Sequence, residues 1–245
     1  MFRIDKRVWY IILGIIIFRI IVNCISDQST AISTLLIIPA VLIAITFHEF
    51  AHAYTAYKLG DNTAKNQGRL NLNPLSHIDI LGFIMLLTLG IGWGKPVQVD
   101  SRNFNRNMSV SKAEAIVSIA GPIMNFIVAI IFAVLYGCMI KFNWFSNLGI
   151  EAYYYIIMAV YYVIMLNIGL GVFNLIPLPP LDGSKVLKHF LPLNARIKFE
   201  QNENIFYIVF IVIWITGIAG NIITPIISFL GENIMKLIGI IFGIG

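Results

Sequence analysis

The chain has 245 residues, of which 58% are hydrophobic and 12% charged, with a net charge of +5 and a mean hydropathy of +0.84. Soluble domains carry about 25% charged residues, so a water-soluble globular enzyme is excluded, as is a disordered chain; two Cys exclude a disulfide scaffold. An integral membrane protein in the lipid bilayer remains, in which Lys and Arg report orientation and imply no nucleic-acid partner.

The first apolar run covers residues 8–25, after Arg3, Lys6 and Arg7. It is too long for a signal-peptide core and lacks a small-x-small cleavage site, so an uncleaved span is expected, with Arg19 snorkelling to an interface. Further runs cover 32–57, 113–140, 152–176 and 205–230, each longer than the ~20 residues a membrane helix needs. Residues 80–91 reach only about 18 Å as a helix and are punctuated by Gly82 and Gly90. A re-entrant or β-hairpin segment around 80–100, enclosed by protein, is expected there. Residues 237–245 read as an interfacial tail.

The fold expected is therefore an all-α polytopic membrane protein of about five transmembrane helices, forming a single domain over 1–245. Basic residues fall in the 58–79, 95–112 and 182–203 segments, while the loops at 23–31 and 141–151 carry no excess of them. These segments and the amino terminus then share the cytoplasmic face, and 80–91 must enter and leave on that face. Cys24 and Cys138 lack metal-ligand spacing and read as apolar fillers.

The second span contains His48-Glu49-x-x-His52. Residues four apart share one helix face, so both imidazoles can reach one ion. Glu49 stands beside them, placed to act on water without being a ligand. With 4 His and six Glu in the chain, chance supplies about 0.002 such patterns. Three ionisable groups within one turn of an apolar helix are costly unless used. A third ligand is needed, with the fourth position left for water. Asp182 follows Asn174-Leu-Ile-Pro177-Leu-Pro179-Pro180-Leu, where three prolines unwind the chain at the basic end of its span. It is the favoured candidate, although it could instead cap a helix beginning there. His77 or Asp79 is the alternative; Asp61 and His189 are the other His or Asp within reach.

Together with Gly121-Pro122-x-x-Asn125 and Asn174-x-x-Pro177-x-Pro179-x-x-Asp182-Gly183, this motif resembles the site-2 protease family of intramembrane zinc metalloproteases. Asn73-Pro-Leu-Ser-His-Ile-Asp79 and Gly92-Trp-Gly-Lys-Pro-Val97 are similar to its short prokaryotic subgroup. The resemblance spans roughly residues 32–191. It implies one zinc per chain held by His48, His52 and Asp182, with Glu49 as catalytic acid and base, in a prokaryotic cell membrane. Members often carry a PDZ domain between the core spans, for which this chain has no room.

The activity this predicts is hydrolysis of peptide bonds in or near transmembrane segments of membrane proteins, by zinc-activated water with Glu49 as general base and then acid. Asn125 and Asn174 are candidates for a contact to the substrate backbone or the oxyanion; each could equally be helix–helix glue. A helical substrate must unwind before its carbonyl is reachable. Residues 94–100 read as extended, with Val97 and Val99 on one face and Gln98 on the other, an edge that could pair with an unwound substrate. Trp93 is either an interface anchor or a substrate contact. The rival readings are a zinc-dependent membrane hydrolase acting on a lipid-like amide and a non-catalytic metal-binding membrane protein. The second would be expected to show repeated halves, which are not visible.

Overall fold

The computed structural model describes residues 28–89 and 92–244. Its helices are α1 (Gln28–Lys58), α2 (Thr63–Asn66), α3 (Ile80–Leu89), α4 (Val110–Lys141), α5 (Ile150–Asn174), α6 (Asp182–Phe190), α7 (Leu193–Gln201), α8 (Glu203–Ile215) and α9 (Ile218–Phe242). No strand occurs among the described residues, and the architecture is all-α as expected.

Four described helices are long and apolar enough to cross a membrane: Ile32–Lys58 within α1, then α4, α5 and α9. Three of them match the runs at 32–57, 113–140 and 152–176. The predicted span at 8–25, with Arg19 and Cys24, lies outside the described residues.

The run at 205–230 is not one helix. It breaks after Ile215, where the Thr216 hydroxyl donates back to Val212 O and Ile213 O. Gly217 then takes a left-handed φ of +74°, a conformation that suits glycine and stops a helix. Its first part, α8, is 13 residues, about 20 Å, and too short to cross. The long helix is instead α9. Residues 237–242 belong to it, and Ile238 is buried against Ala129, Ala133, Ile164 and Ile168. They continue a membrane-length helix, with Ile238 on its packed face and Leu237, Ile240 and Ile241 exposed, and the expectation of a separate interfacial tail there is corrected.

α1, α4 and α5 pack around Ala40, Val128 and Val163. Small residues dominate the contact, with Ala40, Ala44, Ala53, Ala129 and Ala133 fully buried. Side chains this small let helices approach closely where no water drives them together. The carboxyl end of α1, the amino end of α4 and the carboxyl end of α5 meet at one end of the bundle, so α4 runs antiparallel to the other two.

The 80–91 segment begins with α3, whose amino end is capped by Asp79 Oδ1 accepting from Gly82 N at 2.9 Å. The chain then returns to where it left, because Ile78 and Gly94 form an isolated antiparallel bridge. The segment thus enters and leaves on one side, as its length required, through a short helix and not a β-hairpin.

Candidate metal centre

His48 and His52 project from one face of α1, and their Nε2 atoms lie 3.0 Å apart. Asp182 Oδ2 is 3.1 Å from each of them. Among the described residues, these three form the group placed to hold a metal ion, with their ligand atoms within 4.8 Å of one another. α6 begins at Asp182, yet Asp182 does not cap it: the N-cap is Leu181, with no side-chain cap bond. The carboxylate is turned instead toward the imidazoles. The turn that delivers it is tight, since Leu181 N donates to Leu178 O and Ser184 Oγ to Leu181 O. A Cβ on Gly183 would stand 2.3 Å from Leu175 O.

The donor set fits zinc, for which two imidazoles and one carboxylate are an established catalytic combination. The tautomers agree. His52 Nδ1 lies 2.8 Å from Val117 O, which can only accept. His48 Nδ1 lies 2.7 Å from Asn125 Oδ1. The Asn125 orientation is set by its own Nδ2, which donates to Ala44 O at 3.1 Å and Asn167 Oδ1 at 2.9 Å. Both Nδ1 atoms therefore carry hydrogen, and both Nε2 lone pairs face Asp182, an arrangement that a cation relieves. α4 reaches the histidines only because residue 121 is glycine. A Cβ there would stand 2.5 Å from His52 Nε2 and 2.7 Å from His48 Cε1.

Glu49 is not in this cluster. Its Oε2 accepts the backbone N–H of Val97 at 2.8 Å. The 92–99 stretch runs past it without regular pairing beyond the Gly94 bridge. Val97 and Val99 are half-buried and Gln98 is exposed, with Gln98 Oε1 accepting from Gln67 Nε2. Metal cluster, Glu49 and this stretch together line a cavity of about 1110 Å³, whose far wall is Phe173, Phe210 and Trp214. Trp93 lines it as well.

The remaining candidates lie elsewhere. Asn125 is fully buried behind His48 with both ends of its amide engaged, so it orients a histidine and does not face the cavity. Asn174 does line the cavity; its Nδ2 donates to Leu170 O at 3.0 Å. His77 is fully buried with Nε2 on Asn71 O, Asp79 caps α3, and His189 Nδ1 lies 3.4 Å from Ser111 Oγ. Asp61 accepts from Thr63 N, Thr63 Oγ1, Asp100 N and Asn103 Nδ2. None of these four belongs to the metal cluster. Burial works against the charge of Asp61, but these donors prevail and lower its pKa. Residue chemistry alone points neither to Asn167, which holds Asn125, nor to Arg69, which braces the 95–97 stretch. Each looks like ordinary polar residue usage in the sequence.

A model of peptidase family M50 matches residues 36–217. The chain is 39% identical to YwhC of Bacillus subtilis over 82% of its own length and 90% of that protein. It is 31% identical to Rip2 of Mycolicibacterium smegmatis over 66% of its length and 60% of that protein. To MJ0392 of Methanocaldococcus jannaschii it is 24% identical, over 72% and 40%. The names of all three include the words zinc metalloprotease. No solved structure matches the chain.

Proposed function

This chain belongs to peptidase family M50, the site-2 proteases, and from that premise we propose that it cleaves membrane proteins within or beside their transmembrane segments. It is a metalloprotease whose cofactor is zinc. The observation that carries the finer reading is the His48, His52 and Asp182 cluster beside Glu49, opening on a largely apolar cavity within a bundle of membrane-spanning helices. A cavity of this size has room for an unwound stretch of chain, and its apolar wall suits side chains that leave a bilayer.

In this reading His48, His52 and Asp182 hold zinc, which when bound supplies the Lewis acidity that makes water a nucleophile near neutral pH. Asn125 and Val117 O keep the two imidazoles in the ligating tautomer and orientation. Glu49 removes the proton from the attacking water and returns it to the leaving amine. Asn174, with one amide hydrogen on Leu170 O, has a second to offer to the substrate carbonyl. The 97–99 edge, Val97, Gln98 and Val99, holds the substrate extended by main-chain pairing. The chain works as one unit over 1–245 in a prokaryotic cell membrane, with the cavity open to the cytoplasmic side. In support of that orientation, His48 lies ten residues before Lys58, about 15 Å along α1, near the end that carries the basic loops.

The test is mass spectrometry of membranes containing the wild-type chain or Glu49→Gln. Peptides ending inside transmembrane segments, present only with the wild type, are expected. Glu49-dependent lipid-amide products without such peptides would overturn the proteolytic reading.

A further inference from the structure

Arg69 is 8% exposed, and its guanidinium is bonded to main-chain carbonyls. Its Nε donates to Ser76 O at 3.1 Å, its Nη1 to Pro96 O at 2.6 Å and its Nη2 to Lys95 O at 2.6 Å. A guanidinium presents several donors in a rigid plane and stays charged, so this is a fixed clamp on two consecutive carbonyls. The following residue is Val97, whose N–H meets Glu49 Oε2. The clamp is needed because this stretch has little pairing of its own. Pro96 has no N–H to give, and the bond from Lys95 N to His77 O at 2.8 Å is the main-chain tie on the other side. Glu49 is also the acidic group whose charge acts on the buried guanidinium, countering the effect of burial on it.

We propose that Arg69 is a positioning residue for the hydrolytic site: by gripping the Lys95 and Pro96 carbonyls it sets the Val97 amide against the carboxylate of Glu49. The proposal rests on the reading of Glu49 as the base. Arg69 touches neither substrate nor metal in this scheme; its effect passes through the Val97 N–H. The charge-assisted bond from that N–H is the fixed point from which the carboxylate is aimed. Misplacement of a catalytic group by about 1 Å costs on the order of 100-fold in rate.

The experiment uses the full chain in detergent with zinc bound, and compares wild type, Arg69→Met, Arg69→Lys, Val97→Pro and the Arg69→Met/Val97→Pro double variant. Three quantities are read: zinc content, hydrogen exchange of the 95–99 amides, and kcat and KM on a short unfolded peptide. Arg69→Met is expected to keep its zinc, speed exchange at 95–99 at least tenfold, and lower kcat about 100-fold with KM little changed. Arg69→Lys, with one ammonium for two carbonyls, recovers part of the loss. The double variant is expected to be no slower than Val97→Pro alone, since both changes break one chain of contacts. Unchanged exchange at 95–99, or losses that multiply in the double variant, would overturn the proposal. If the wild type hydrolyses no peptide, the proteolytic reading fails; the exchange result then decides by itself whether Arg69 holds this stretch.

Discussion

Val97 donates its main-chain N–H to Glu49 Oε2 at 2.8 Å, across 48 positions of sequence. The residue expected at the substrate edge is thus already bound to the residue expected to move the proton. The bond joins α1 to the segment that returns from α3, and it ties together two motifs far apart in the chain.

That bond changes how the substrate edge is best tested. Proline at 97 removes the N–H that Glu49 accepts, whereas proline at 99 removes an edge donor and leaves that bond in place. Val99→Pro is expected to reduce cleavage of a transmembrane substrate at least tenfold and cleavage of a short unfolded peptide much less. Zinc content and thermal unfolding serve as controls, because Val99 packs beside Ala56, Ala113 and Val117. Equal losses on both substrates would return this stretch to a structural loop.

Metal analysis separates ligands from base. Glu49→Gln should retain about one zinc per chain and cleave nothing. His48→Ala and Asp182→Ala should lose zinc on dialysis against a weak chelator, since each removes one of three ligands. His77→Ala should keep its zinc, because His77 is bonded to Asn71 O and lies outside the cluster. Full zinc in Asp182→Ala with loss in His77→Ala would displace Asp182 from the site.

Asn125→Ala leaves His48 Nδ1 without its acceptor and Asn167 Oδ1 without its donor. Zinc affinity is expected to fall about 10- to 100-fold, the usual effect of removing the partner of a ligating histidine. Chelator competition measures it. Unaltered affinity would mean that helix packing alone orients His48.

The folded-state pKa of Asp61 lies below its ordinary value. The contribution of its carboxylate to stability is therefore complete above about pH 4 and is lost as pH falls through the lower folded-state value. Hydrogen exchange of the 98–103 amides, followed from pH 7 downward through an exchange-rate correction, should show protection failing only in that acid window. Asp61→Asn cannot accept from all four donors; it should open the loop already at neutral pH, at a cost of about 2 kcal/mol. Wild-type protection that fails already well above pH 4, or an Asp61→Asn loop as protected as the wild type at neutral pH, would refute the assignment.

Depth and orientation are read by labelling. Lys185 is exposed and lines the cavity. In a background without Cys24 and Cys138, Lys185→Cys should react with a membrane-impermeant maleimide added on the cytoplasmic face and stay unlabelled from the other. Labelling from the opposite face would invert the topology argued from the basic loops.

Whatever depends on neighbours along the chain is legible in the sequence by itself. The 3.6-residue period puts His48 and His52 on one face whatever the rest does. Apolar runs longer than the bilayer is thick mark α1, α4 and α5, and the shortness of 80–91 requires a return to the same side. The break at Gly217 is harder to see, because a single Thr-Gly pair scarcely lowers the hydropathy of a long apolar window; only the backbone conformation at Gly217 shows that the chain stops and restarts. The proline-rich corner favours Asp182 over His77, Asp79 and a helix-cap role, yet what places its carboxylate on the histidines is the packing of α6 against α4, which in turn packs on α1, elements far apart in the chain. The roles of Asn125, Asn167 and Arg69 are decided by tertiary structure alone. A buried amide or guanidinium must find partners wherever packing brings them, and those partners, Ala44 O, Lys95 O and Pro96 O, are main-chain atoms that no side-chain pattern records.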